Sequence, residues 1–204
     1  MIHSRFFSLL LLCAVLLPPT ACVHNKKMVS VPVEALHSGD LGDLAEEGIP
    51  RVIFVSIRGM TESSPTLRRQ IERELLRQGF EVTDTPSQAG YILQLSILAS
   101  GQVAPESLRS TVDAGYDTPV RFSGEGASGV VADALLVQRR VPVASRPERV
   151  HLKNISHRNA VGSGQLRVGL LRRTDRTAED GAFVEALARE LGQVVRASAE
   201  QSKR

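Results

Sequence analysis

The first twenty-two residues constrain this chain more than any later stretch. Phe6 to Leu17 is an unbroken apolar run of twelve residues, FFSLLLLCAVLL, behind a short basic start at His3 and Arg5. A membrane-spanning helix needs roughly 20 residues, so this run is too short to be one and matches the apolar region of a secretion signal. Pro18 and Pro19 close it, because proline cannot continue a helix. No later apolar run reaches membrane-spanning length, so the rest of the chain must bury its apolar residues in a folded domain.

Directly after the prolines stands Thr20-Ala21-Cys22. Two small residues before a cysteine let an extended chain enter a peptidase groove, and the arrangement resembles the bacterial lipobox. Pro19 departs from the leucine usual at its position. The expectation is a signal peptide over residues 1–21 and a lipidated Cys22 as the first residue of the mature protein. The alternative is an ordinary secretory signal cut after Ala21. Several acyl chains, at about 0.8 kcal/mol per buried CH2, make a stable anchor where a single chain is marginal. Val23 occupies the position at which lipoproteins kept in the inner membrane usually carry aspartate, which points to the outer membrane.

Removing 21 of 204 residues leaves 183, enough for one domain and a tether. The formal net charge is +3, and loss of Arg5 lowers it to about +2, so nothing demands nucleic acid. Cys13 leaves with the signal, and Cys22 is then the last cysteine, so no disulfide is expected. Aromatic residues make up 4% and tryptophan is absent, so the core must be aliphatic.

Residues 22–50 read as the lipidated N-terminus and a flexible tether. Within it Met28–Val33 (MVSVPV) suits a short strand that Pro32 confines to an edge, and 37–48 looks solvated. Residues 51–204 read as the folded domain. Arg51–Arg58 (RVIFVSIR) is rich in β-branched residues and predicts a strand. Ser64 and Pro65 open a helix with an apolar stripe at Leu67, Ile71, Leu75 and Leu76, and Gly79 stops it. Phe80–Thr83, Tyr91–Leu98 and Gln165–Leu171 predict further strands. The stretch 101–129 is the least regular, with a short helix at 130–136 and a strand at 136–143 after it. A second amphipathic helix spans Thr177–Ala197, with a Thr177–Asp180 capping pattern and Phe183, Leu187, Leu191 and Val194 on one face. Gly192 inside it costs about 1 kcal/mol relative to alanine. The fold class is α+β: a small sheet of several strands covered by two amphipathic helices.

Candidate chemistry is sparse. Gly124-Glu-Gly-Ala-Ser-Gly129 matches GxGxxG, but a dinucleotide site needs a strong strand before it and a helix after it, so flexible backbone is the better account. His151 and His157 lack the close spacing and carboxylates of a metal site and read as loop histidines. There is no GxSxG elbow, no Cys–His pair and no pair of carboxylates in an apolar setting. No catalytic residue, cofactor or metal is therefore expected. Arg69, Arg73 and Arg77 form a basic stripe on the first helix that could meet an anionic partner such as lipid head groups, but Glu72 and Glu74 dilute it, and a solvated face is the better reading. Arg139, Arg140, Arg172 and Arg173 read in the same way.

In their order these features resemble the TraT family of outer-membrane lipoproteins. The resemblance rests on the lipidated cysteine, Lys26 and Lys27 in the tether, the strand RVIFVSIR, and the segment RQGFEVTDTPSQAGYILQLSIL. It continues through Gly115-Tyr116-Asp117 and GEGASGVVADALL to the C-terminal strand and helix. It implies a non-catalytic protein active in surface exclusion during conjugation, complement resistance in some members, and a ring-like homo-oligomer in the outer membrane. Conjugation or envelope proteins would be its partners. The family carries a long apolar Gly/Ala hairpin able to pack in lipid. Here that region, 115–136, is short and interrupted by Asp117, Arg121 and Glu125. A periplasm-facing structural or adaptor lipoprotein is the alternative.

Overall fold

A computed structural model describes residues 32–42, 44, 48–59, 64–122, 124–140, 159–173 and 180–201. The chain from Val31 onward forms one unit. Its elements in order are β1 (Glu34–His37), β2 (Val52–Arg58), α1 (Ser64–Arg77), β3 (Glu81–Val82), β4 (Tyr91–Val103), α2 (Pro105–Asp113), β5 (Ala127–Arg139), β6 (Ala160–Arg172) and α3 (Asp180–Gln201). The strands make a single sheet in the order β1-β6-β5-β4-β2-β3. β2 runs parallel to β3 and β4, a pairing that needs a crossover, and α1 supplies it. The β4–β5, β5–β6 and β1–β6 pairs are antiparallel.

The α+β class is as expected; the described residues hold three α-helices, where two amphipathic helices and a short one at 130–136 are predicted. On one sheet face α1 presents Leu67, Ile71 and Leu75 beside Phe183, Leu187, Leu191 and Val195 of α3. These pack on Ile53, Val55, Leu93, Leu95, Val130, Ala132, Ala134, Leu136 and Val168. The opposite face carries α2, whose Leu108 packs with Val103, Val131 and Leu171. Leu76, assigned to the apolar stripe, is instead 54% exposed. The helix does stop at Gly79, which takes a φ of +82°. Phe80 N–H donates to the Leu75 carbonyl and Gly79 N–H to the Leu76 carbonyl, the paired closure that glycine permits.

Three local expectations are corrected. The segment 130–136 is not a helix but part of β5, a thirteen-residue strand between β4 and β6 that is buried along most of both faces. Such a strand shows a continuous apolar run with no alternation, which periodicity cannot separate from a buried helix turn. The irregular stretch holds α2, which Pro105 opens and Glu106 supports in its first turn. The third concerns the tether. Its part from Glu34 onward belongs to the sheet, as β1 pairs with β6 from Glu34↔Leu171 to His37↔Val168. Leu41 and Leu44, in the stretch read as solvated, are 1% and 2% exposed. Residues 28–31, the proposed capping Thr177, and the strand expected at 141–143 lie outside the described residues.

Two close approaches explain glycines within the elements. A Cβ on Gly164 would lie 1.7 Å from the Leu41 carbonyl oxygen, so the strap 38–42 runs directly across β6 there. A Cβ on Gly192 would lie 2.5 Å from Glu74 Cγ, which marks where α3 crosses α1. In the second case the obstacle is a flexible side chain. Gly192→Ala is expected to change stability by less than about 0.5 kcal/mol, because the gain in helix propensity of roughly 1 kcal/mol is offset by displacing Glu74. In a Glu74→Ala background the same change should stabilise by about 1 kcal/mol in urea unfolding. Equal effects in both backgrounds would show that the helices do not meet at this point.

Candidate functional site

The main polar cluster of the core lies where β5 and β6 face each other on the α2 side of the sheet. Asp133 and Arg167 are direct cross-strand neighbours. Arg167 is 0% exposed and Asp133 5%. Arg167 Nε donates to Asp133 Oδ1 at 2.7 Å and Nη2 donates to Oδ2 at 2.9 Å, a two-pronged pair. Nη2 also donates to the Thr118 carbonyl at 2.9 Å, and Nη1 to the Thr111 carbonyl at 3.2 Å and to Thr118 Oγ1. All five guanidinium N–H groups are thereby used.

The cluster gathers four pieces of backbone. Thr111 belongs to the last turn of α2, where carbonyls lack helical partners and a cation is favoured. Asp117, at a φ of +62°, donates its N–H to Asp133 Oδ2 at 2.9 Å. Thr118 Oγ1 donates back to the Gly115 carbonyl. Ser38, just past β1, exchanges bonds with Arg167: its N–H donates to the Arg167 carbonyl, and its Oγ accepts from the Arg167 N–H. Tyr116 lies half-buried beside this loop. Burial raises its phenol pKa first, the carboxylates of Asp133 and Asp117 raise it further, and Arg58 opposes them. The phenol therefore stays protonated. Chemically the cluster is a latch: the carboxylate is saturated by donors and the cation by acceptors, so it fixes α2 and the 115–118 turn to the sheet.

Sequence reasoning singled out other residues. Cys22, His151 and His157 lie outside the described residues. The GxGxxG segment leads into a strand, not a helix, which removes the phosphate-binding geometry. Two of its glycines serve packing: a Cβ on Gly126 would lie 2.6 Å from the Val103 carbonyl oxygen, and one on Gly129 2.5 Å from Val103 Cγ1. Arg139 is not solvated but 4% exposed. Its Nε donates to the Ala89 carbonyl and Nη2 to the Ser87 carbonyl, clipping the end of β5 to the 86–90 turn, and burial lowers its pKa. Arg172 buries Nε and Nη1 without a hydrogen-bond partner, and Arg173 reaches towards Glu34 at 3.7 Å. Among the described residues no group of His, Cys, Asp and Glu is placed to hold a metal ion.

A shallow groove of about 250 Å³ runs between the strap and α3, lined by His37, Asp40, Leu41, Glu190, Val194 and Ser198. His37 Nε2 approaches Glu190 Oε2 at 3.5 Å, and Ser198 Oγ donates to the Gly42 carbonyl at 2.6 Å. These contacts hold the strap down on α3.

Comparison with known proteins agrees with the resemblance read from the sequence over part of the chain. The family described as Enterobacterial TraT complement resistance protein matches residues 47–145, which span β2 to β5. β6 and α3, included in the sequence reading, lie beyond that range. No curated protein matches the chain. Among solved structures, a PelC dodecamer from Paraburkholderia phytofirmans is 14% identical with a TM-score of 0.41, over 85% of this chain and 100% of that one. A DUF4136 family protein from Bacteroides thetaiotaomicron is 8% identical with a TM-score of 0.33, over 84% and 97%. A minor lipoprotein from Acinetobacter baumannii is 8% identical with a TM-score of 0.28, over 72% and 93%.

Proposed function

We propose that this chain, TraT-like over residues 47–145, is a non-catalytic outer-membrane lipoprotein anchored through Cys22 that acts by binding and blocking, in surface exclusion during conjugation. The observation that carries the reading is the family match in a chain whose N-terminus ends its apolar run in Pro-Thr-Ala-Cys. Among the described residues no helix is long and apolar enough to cross a membrane, which fits attachment by lipid. Complement resistance and assembly into a homo-oligomer belong to the same proposal. Recipient cells that make the protein should yield fewer transconjugants of the related plasmid. Unchanged transfer, with the protein confirmed at the cell surface, would count heavily against exclusion.

One observation favours a second reading. The segment that corresponds to the family's lipid-packing hairpin enters β5, an interior strand. Its residues from Gly129 to Leu136 are buried within the domain, save for half-buried Leu135, and Asp133 is latched to Arg167. It therefore offers little apolar surface to lipid. This suits a domain on the periplasmic side, held near the membrane by its anchor and acting as an adaptor in an envelope complex. Protease added outside intact cells should then leave the protein whole, and cleavage would sink this reading.

A further inference from the structure

The outer face of α1 is more basic than its composition suggests. At 100° per residue, Leu76, Arg69, Arg73 and Arg77 fall in that order within about a third of the helix circumference. All four are exposed, Leu76 by 54%. The acidic residues of the helix, Glu72 and Glu74, border this arc and are already engaged. Glu72 accepts from Arg68 Nε at 2.6 Å. Glu74 accepts from Arg77 Nη1 at 3.1 Å and from Gln78 Nε2 at 2.8 Å, beneath the α3 crossing. Their side chains are 21% and 15% exposed, against 72% for Arg77. The carboxylates that dilute the stripe in the sequence are thus drawn inward; Arg77 keeps its pair with Glu74, while Arg69 and Arg73 stay out. Among the described residues Arg69 donates to the Pro65 carbonyl, and neither Arg69 nor Arg73 makes an ion pair. On neighbouring α3, Arg196 is matched by Glu200 at 2.9 Å, so the positive strip belongs to α1.

We infer that this face of α1 docks the domain flat on an anionic bilayer surface, with the three arginines at the lipid phosphates and Leu76 inserted between head groups. From Arg69 to Arg77 the strip is about 12 Å long, on a helix of fourteen residues. Guanidinium groups on long stems can reach the phosphates while their methylenes lie against the acyl boundary, as in other interfacial helices. Charge complementarity selects an anionic surface. The choice of a bilayer as its source rests on the lipid-anchored reading, which holds the domain beside one.

The test uses the full lipidated protein with Leu76→Cys, labelled with an environment-sensitive nitrobenzoxadiazole. With Cys13 lost in the signal and Cys22 acylated, the new thiol is the sole site of labelling. The protein is reconstituted into vesicles of phosphatidylcholine alone, or of three parts phosphatidylcholine to one of phosphatidylglycerol. It should float with both, but the label should shift to the blue only on the anionic vesicles, and the shift should fade with salt. Each arginine near an anionic surface is worth about a fivefold change in the docked-to-free ratio, so Arg69→Gln, Arg73→Gln and Arg77→Gln together should lower it roughly a hundredfold. Lysine at the same three positions should keep the shift. An unshifted label on anionic vesicles, or a shift that survives the three glutamines, overturns the docking face while leaving the anchor intact. Protein that floats with neither vesicle overturns the anchor, and the bilayer as occupant with it.

Discussion

Asp133→Ala should lower the unfolding free energy by about 3–5 kcal/mol, because it strands a fully buried guanidinium without its counter-charge. Arg167 is 0% exposed and has no water to turn to. Three of its five donor bonds would remain, to Thr111 and Thr118, but the charge would be uncompensated. Removing Arg167 instead, by Arg167→Met, leaves Asp133 buried and also frees the Thr111 and Thr118 carbonyls, so its cost should be at least as large. Asp133→Ala together with Arg167→Met should cost less than the two single changes added, since the uncompensated charge is then gone. The double variant should not return to wild type, because those carbonyls lose their donor. Urea unfolding of the four proteins measures the cycle. Additive effects would mean that the two side chains do not act as a pair. Hydrogen exchange should quicken first in α2 and the 115–118 turn, the pieces the latch holds.

The second large effect lies at the strap. Gly164→Ala places a methyl group 1.7 Å from the Leu41 carbonyl oxygen, and backbone cannot yield as Glu74 does at Gly192. Either β6 shifts, an overpacking cost of roughly 1–3 kcal/mol, or the strap lifts. A lifted strap exposes Leu41 and Leu44, each worth roughly 1.5–3 kcal/mol when fully buried. The expected loss is about 3 kcal/mol in urea unfolding. If the strap lifts, amide protection should fall at the β1–β6 pair and at Ser38, whose N–H donates to the Arg167 carbonyl. Gly181→Ala, with open space around its Cβ, is the control and should be near neutral. A near-neutral Gly164→Ala would contradict the close crossing.

Local signals made much of this fold legible, and long-range ones did not. The strand at 52–58, the helix from Ser64 to its glycine stop, and the long C-terminal helix carry their signals within a few residues: β-branched runs, stripes at helical spacing, and Gly79. The strap was hidden because Leu41 and Leu44 stand alone among Gly, Asp and Glu, and nothing nearby shows that a distant glycine has been cleared to receive them. β5 was hidden because burial on both faces erases alternation. The latch was partly visible. Asp133 interrupts GVVADALLV and Arg167 interrupts QLRVGLL, and a charge inside an apolar run must find a partner or pay for its desolvation. Their separation of 34 residues concealed which partner it is. The basic stripe was seen, but not that its neighbouring acids fold inward.

The measurement that tests the central claim most directly is palmitate labelling of the full chain in a bacterial host, followed by separation of the membranes. The wild-type protein should carry label and sediment with the outer membrane, while Cys22→Ser should lose both the label and membrane attachment. A Cys22→Ser protein that remains acylated and membrane-bound would contradict the account, because the anchor would then lie elsewhere in the chain.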